Sequence, residues 1–545
     1  MLIGITTYSS IAFVISFLSL GVVALLSWQR RSTTRPPLLS ETIPFVTNAW
    51  QFATNKDKFL KRLHDELKRS PIVRCHIGPV TLHFVTGPNN ISALFRSSFT
   101  SDPWVQRILG KSGGYSSRDV KKFAQDDSGS AKQPRRGSTR AVPKEKRIWY
   151  AKHTLFNESL LGNGPVNTFA TSFQTFFHQE LNAFPVGRWN EDVQIFDFLK
   201  RSLSTAATRS VFGSQIIDSN PGFIEAFWEY ERFVEPLAFG LPGLPNSKGV
   251  KARDRFKAMC LKWYQQADRE FDSGDANSNG NVDWEPVFGS LVSRKLAQWA
   301  KSFDFSAHSQ GAAYTLFLFG LHANTIPITT WIIMELIQDL DLFQAVKKEV
   351  SQVEATRGDD GEYFNHEKLA SLPLLQSVYT EVLRLHVRVL ITRTSIEPAI
   401  VAGFHLPKGS IIQAPTEVCH LDEAVWGTPD HPASEFWAYR HVKVIEPRDG
   451  SQCHTNKLKF SLEGKTGSFF PFGGGMNMCA GRNFAKQEVL LAVAFIVSRF
   501  EIEFLEWVRP GGGRSERPPL DDTYFANAVA CPPDRDMKVR WLKTR

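Results

Sequence analysis

The sequence predicts a mainly α-helical domain with small β-sheets, preceded by a single N-terminal transmembrane helix. Three observations lead there. Apolar residues recur at helical spacing over roughly 50–69, 147–160, 191–211, 310–339, 366–388 and 481–498. Only short runs, such as Ile72–Ile77, Val80–Val85 and 411–414, read as strands. Ahead of them all, residues 11–28 form an uncharged apolar run, IAFVISFLSLGVVALLSW.

That run, extended into residues 6–10, reaches about 20 residues and about 30 Å of helix, enough to cross a bilayer. Arg30, Arg31 and Arg35 follow it and favour the cytoplasmic side. No positive charge precedes the run and no A-x-A-like site follows, so a retained anchor is expected rather than a cleaved signal peptide. Pro36, Pro37 and Pro44 then stop the span. The expected division is an anchor at 1–30, a Pro-rich hinge at 31–48 and one body at 49–545. The expected location is the endoplasmic reticulum membrane, single-pass, with the body facing the cytosol.

The chain has 545 residues, 42% of them hydrophobic, enough to bury a large core. No internal repeat or long Gly/Ser linker divides it. The formal net charge of +9 suits an acidic protein partner or an anionic membrane surface. Without zinc-finger spacing or an aromatic single-strand-binding motif, nucleic acid is not expected as a partner. The six cysteines lie far apart and form no C-x-x-C pair, which fits a reducing compartment.

Between Arg107 and Arg147 the chain is rich in Gly, Ser, Lys and Arg and reads as a long loop, either a solvated excursion or a flap over a pocket. SGDANSNGN at 273–281 reads as a surface turn, and GGGRSERPP at 511–519 as a turn leading into extended chain.

The chemistry is concentrated in PFGGGMNMCAGRNFA at 471–485. Gly473, Gly474 and Gly475 allow tight geometry and close approach to a flat ligand, while Phe472 can pack beside a ligating sulfur. Cys479 then sits at the start of an apolar helix, where free N–H groups and the helix dipole are expected to lower its pKa and make it a metal ligand.

This stretch resembles the cytochrome P450 pattern F-x-x-G-x-R-x-C-x-G, matched by Phe472, Gly475, Cys479 and Gly481, with Ala485 at the small position that follows. Asn477 stands where the pattern has arginine. In LLQSVYTEVLRLH, Glu381 and Arg384 lie at i and i+3 and resemble the family's E-x-x-R. Arg440 in FWAYR supplies the third member of a buried structural charge triad.

The resemblance implies heme b with an axial thiolate from Cys479. It implies propionate partners at Arg393, in Leu390–Ser395, and at Trp149 with either Lys152 or His153, in a variant of the W-x-x-x-R helix.

GLHANTIPITTW at 320–331 places polar residues and Pro327 inside an apolar helix, so a kink is expected near Ala323, with room for dioxygen. Family members usually carry an acid and an alcohol there as a proton relay. Here Asn324 replaces either the acid before Thr325 or the alcohol itself, the second register being the one that the A-N-T-I-P form favours. The A-N-T-I-P form resembles the branch with bile-acid sterol hydroxylases and prostacyclin synthase and their microbial secondary-metabolism relatives. Asn324 and Thr325 are the catalytic candidates.

The resemblance implies a monooxygenase that uses O2 to oxidise a lipophilic terpenoid, meroterpenoid or sterol-like substrate. No dinucleotide or flavin fingerprint is present, so electrons are expected from a separate NADPH-cytochrome P450 reductase. An isomerase or dehydratase acting on an oxygenated substrate without a reductase is the alternative; a heme carrier without turnover is the third reading. Leu316, Phe317, Ile391 and Phe525 are the expected pocket-lining residues.

Overall fold

The computed structural model describes residues 35–138, 142–240, 247–273, 283–355, 363–445 and 457–545. They fall into two compact units. The smaller takes the described residues up to Thr100 together with Thr392–Ala414; the larger takes Ser101–Ile391 and Pro415–Arg545.

In the smaller unit the helix Lys56–Leu67 begins where the Asn55 side chain accepts the N–H of Lys58, satisfying one otherwise orphaned donor. Phe59, Leu63 and Leu67, at helical spacing, are buried, and Phe59 meets Phe84 edge-on at 6.2 Å. Strands Ile72–Ile77 and Val80–Val85 pair antiparallel from Ile72↔Val85 to Ile77↔Val80. The two-residue turn between them uses Gly78 at φ +56°, which suits the twist of the strands. Residues 411–413 run parallel to 82–84.

The larger unit is built on helices. Ile195–Phe212 buries Leu199, Leu203, Ala206, Ala207, Val211 and Phe212 completely, and Thr325–Gln338 buries every residue but Glu335 and Gln338, as expected of elements with neighbours all round. Ile195–Phe212 packs against Asn163–Leu181 and Thr325–Gln338; Arg482–Arg499 packs against the same two. Lys248–Ser273 lies along Ala307–His322. A four-stranded antiparallel sheet runs in the order Arg514–Ser515, Phe500–Val508, Asp536–Lys543, Trp189–Gln194. Trp541, fully buried, anchors it by edge contacts with Phe184 and Phe198 at 4.9 Å.

The chain is therefore mainly α with small β-sheets, but the transmembrane part of the expectation is corrected. Among the described residues, the one helical stretch long and apolar enough to cross a membrane is Ala307–Gln338, in the middle of the chain and 72% buried within the protein. Its apolar surface is covered by neighbouring helices, so its composition is that of a core element. The span expected at 11–28 lies outside the described residues, as do most of the 273–281 turn and Cys453.

The segment 107–147 is more ordered than its composition suggests. Helix Ser117–Gln125 is capped by Ser116, whose side chain accepts the N–H of Asp119, and buries Phe123 completely. The following chain wraps around Arg147, which is 2% exposed and donates to the carbonyls of Gly129, Ala131 and Lys132 at 3.0, 2.6 and 2.8 Å. A basic side chain that composition assigns to solvent thus supplies the donors that buried loop carbonyls require.

Candidate active site

The glycines before Cys479 act where the backbone turns. Gly473 and Gly475 have φ of +68° and +66°, in the left-handed region open to glycine. The Cys479 N–H donates to the Phe472 carbonyl at 3.0 Å, closing the loop, and helix Arg482–Arg499 starts immediately after Gly481. The N–H groups of Gly481 and Arg482 and the Arg482 charge favour the thiolate, yet burial outweighs them and raises the thiol above its ordinary value. The lowered pKa expected from the helix terminus alone is corrected: the surroundings of Sγ are too apolar. Cys479 is nevertheless accessible, because its exposed surface faces a cavity that it lines.

That cavity, about 400 Å³, lies within the larger unit. Cys479, Ala480, Gly481 and Phe484 line it from the cysteine loop and its helix. Trp149, Lys152, His153 and Phe156 line it from helix Ile148–Leu160. Leu316, Phe317, Gly320, Leu321 and Thr325 line it from the broken helix. A Cβ added at Gly320 would meet nothing within 4 Å. The break falls at Ala323–Asn324, between Ala307–His322 and Thr325–Gln338, where Pro327 removes the hydrogen bond to Ala323.

The structure places the expected residues unequally. His153 Nε2 lies 2.9 Å from the Met476 carbonyl, and the Asn157 amide nitrogen lies 3.0 Å from Nε2 and 3.2 Å from Nδ1. Trp149 donates its indole N–H to the Phe123 carbonyl at 3.0 Å. Burial lowers the Lys152 ammonium to about 8, against the attraction of Asp102. Phe472 packs at the core's edge and Gly475 opens a short turn, Gly475–Asn477. Arg393 belongs to the smaller unit, buried, its guanidinium 5.6 Å from the Phe95 ring centre. Leu316 and Phe317 line the cavity as expected, whereas Phe525 lines a separate space of about 10 Å³ and Ile391 faces Gly473.

Glu381 is the centre of a buried cluster. Arg384 donates to its two oxygens at 2.8 and 2.7 Å, and Arg440 to Oε1 at 2.8 Å. A fourth member, His441, reaches Oε2 at 3.1 Å. Its only sequence signal is adjacency to Arg440.

Asn324 and Thr325, neighbours in sequence, face different ways. Asn324 Oδ1 accepts the N–H of Ala530 and does not line the cavity. Thr325 Oγ1 lies 2.9 Å from Oε1 of Glu488, a second residue the motifs did not single out, on helix Arg482–Arg499. The signal was one acid within the otherwise apolar EVLLAVAF. Among the described residues, no group of three or more His, Cys, Asp or Glu side chains is arranged to hold a metal ion.

The cytochrome P450 family profile matches residues 36–511. The chain belongs to the cytochrome P450 family. It is 38% identical over 519 residues to cytochrome P450 monooxygenase calL of Penicillium decumbens, covering 95% of this chain and 94% of that one. It is 28% identical to cytochrome P450 monooxygenase fsoE of Humicola fuscoatra, with 88% and 84% covered. It is 23% identical to cholesterol 7-alpha-monooxygenase of Cricetulus griseus, with 94% of each covered. The fold matches that of retinoic acid bound cyanobacterial CYP120A1 at a TM-score of 0.63 and 19% identity, covering 94% of this chain and 100% of that one.

This cytochrome P450 is thus an enzyme, a heme-thiolate monooxygenase that uses O2 on a lipophilic substrate, related to both sterol-hydroxylase-type and fungal secondary-metabolism members. A heme-thiolate cofactor is typical of cytochromes P450, and membership implies a reductase that supplies electrons.

Proposed function

We propose that Cys479 ligates the iron of heme b in the cavity and that the enzyme hydroxylates or otherwise oxidises a terpenoid, meroterpenoid or sterol-like substrate of secondary metabolism. The observation that carries this reading is the meeting of the Cys479 thiol, the Thr325 hydroxyl and two basic side chains, Lys152 and His153, in one largely apolar cavity.

The residues fit the cofactor. One thiol faces the cavity, the N–H groups of Gly481 and Arg482 stand ready to stabilise it as thiolate, and a bound metal ion would deprotonate it outright. Lys152 and His153 would serve as partners for propionate oxygens, with Trp149 packing beside them. When bound, the heme supplies activation of O2. Phe472 closes the loop behind the sulfur through its carbonyl, Gly475 gives the loop its turn, and Asn324 holds the broken helix to the C-terminal chain. The Glu381, Arg384 and Arg440 triad fixes the segment before the cysteine loop.

Substrate is enclosed by Leu109, Phe156, Leu296, Leu316 and Phe317, surfaces suited to a hydrocarbon skeleton. The similarity to the Cricetulus griseus cholesterol 7-alpha-monooxygenase supports a polycyclic substrate. An NADPH-cytochrome P450 reductase would dock at the exposed Met476 and Met478, beside Arg482. Exposed Ile43, Phe45, Val46 and Trp50 support work at the cytosolic surface of the endoplasmic reticulum membrane.

The reduced, carbon-monoxide-treated protein is expected to show the red-shifted Soret band of thiolate coordination, and Cys479→Ser to lose it. Mass spectrometry on a panel of sterols and terpenoids with reductase, NADPH and O2 is expected to reveal an oxygenated product. Product formed without NADPH would instead favour the isomerase or dehydratase reading.

A further inference from the structure

We infer that Gly113, which does not itself border the substrate cavity, is a positioning residue that sets the cavity's width by leaving a notch for the Leu316 side chain. The inference rests on the proposed oxidation of a lipophilic skeleton and deepens it, because it names the position that limits how broad that skeleton can be.

The notch follows from sterics. A Cβ on Gly113 would lie 2.6 Å from Leu316 Cδ1 and 2.9 Å from its Cγ, well inside the separation at which carbon atoms attract. Leu316 therefore packs flat on the Gly113 backbone. Its other side is half-exposed and borders the cavity, one helical turn before Gly320, where a Cβ would meet nothing. The edge of the cavity here is set by how far Leu316 can lean back.

Neither backbone can give way. Gly113 closes the turn Leu109–Gly113, and the carbonyls on either side of it are held. The Ser112 hydroxyl donates to the Val234 carbonyl at 2.7 Å, and the Ser112 carbonyl accepts the Tyr230 hydroxyl at 3.1 Å. Arg253 donates to the Lys111 carbonyl at 2.7 Å and Lys257 to the Gly114 carbonyl at 3.3 Å. Opposite, helix Ala307–His322 already touches helix Lys248–Ser273, where a Cβ on Gly311 would lie 2.9 Å from Leu261 Cβ.

With both backbones pinned, a methyl group at position 113 is accommodated by turning Leu316 into the cavity. The backbone conformation does not demand glycine at 113: its φ lies outside the left-handed region, unlike that of Gly114 at +73°. Leu316 is what demands it. The room gained is used by a broad, fused-ring skeleton and is of no consequence to a small or narrow ligand.

The test uses the heme-loaded enzyme and two probes that bind heme iron through an imidazole nitrogen: imidazole itself, and clotrimazole, which carries three aromatic rings on one carbon. Gly113→Ala should keep its heme content, carbon-monoxide Soret band and imidazole-induced spectral shift. Its apparent Kd for clotrimazole should rise about ten- to a hundredfold, the scale of one methylene group in an apolar pocket. Leu316→Val takes away about the volume that the new methyl adds, so the double variant Gly113→Ala/Leu316→Val should regain most of the lost clotrimazole affinity. A purely structural role for Gly113 would weaken both probes and would not be relieved at position 316.

Unchanged clotrimazole affinity in Gly113→Ala, equal weakening of both probes, or no recovery in the double variant overturns the proposal. Should Gly113→Ala fail to keep heme, the double variant decides: regained heme and clotrimazole binding supports it, and continued loss overturns it. A wild-type protein showing no imidazole-induced shift would sink the heme-thiolate reading instead. The crystal structure of Gly113→Ala would then still report on Gly113, with Leu316 turned into the cavity supporting the proposal and Leu316 unmoved overturning it.

Discussion

Asn324 Oδ1 accepts the backbone N–H of Ala530 at 2.9 Å, and on the same helix the Trp331 indole donates to the Cys531 carbonyl at 2.9 Å. Ala530 is itself bridged to Val387, antiparallel. The broken helix is therefore tied at two points to the C-terminal chain, and the Asn324 amide serves that tie.

Asn324→Leu is expected to leave the Ala530 N–H without its acceptor, costing about 1–3 kcal/mol. Equilibrium unfolding should show that loss, while product yield should fall far less than in Thr325→Val. A turnover defect equal to that of Thr325→Val, at unchanged stability, would return Asn324 to the chemistry.

Glu381 makes stability acid-sensitive. Burial disfavours its charge, but hydrogen bonds from Arg384 and His441 and the charges of Arg384 and Arg440 outweigh burial and hold the carboxyl at about 2. Its folded pKa lies below the unfolded value of about 4.3. Its contribution is therefore complete above that value and is lost as pH falls towards 2. Glu381→Gln should cost about 3–5 kcal/mol at pH 7, and urea unfolding should show the gap to wild type closing at acid pH.

Lys152 borders the cavity, half-buried, with its ammonium already weakened, so a bound carboxylate should restore its charge. Lys152→Met is expected to speed heme transfer to an acceptor protein by roughly ten- to a hundredfold, the scale of lost outer partners. Lys152→Arg should stay near wild type. Equal loss rates in all three would remove Lys152 from heme binding.

Arg147→Leu should strip donors from the carbonyls of Gly129, Ala131 and Lys132, a loss of about 3 kcal/mol or more at about 1–3 kcal/mol per stranded group. Limited proteolysis should then cut within 126–138, where wild type resists.

Much of this was legible in sequence because one side chain type recurs at one period or one motif fixes its neighbours. The glycine turn, Cys479, the Glu381 cluster and the break at Pro327 are of that kind. Helix Asn163–Leu181 was not foreseen, because its Thr and Phe residues are mediocre helix formers and only packing of Phe169, Phe173 and Phe177 in the core selects the helix. Helix Lys248–Ser273 carries its apolar residues Phe256, Cys260, Trp263 and Ala267 as a narrow stripe in a charged sequence. Glu488 escaped because a lone acid on an apolar helix gains meaning only when Thr325 is found against it. The N-terminal span was read from composition alone, the same signal that the buried stretch Ala307–Gln338 gives without any lipid.

The guanidinium of Arg147 also has a bearing on how this enzyme diversifies. Ser130, on the chain it gathers, and Trp149, two residues beyond it, both border the cavity. One buried cation therefore sets the position of a side wall whose outer rim, at residues 133–137, is largely exposed. Changes along that rim can accumulate without moving the wall, whereas replacing the cation displaces it. Selectivity for new skeletons should therefore evolve by exchanging the side chains that border the cavity, with position 147 held constant.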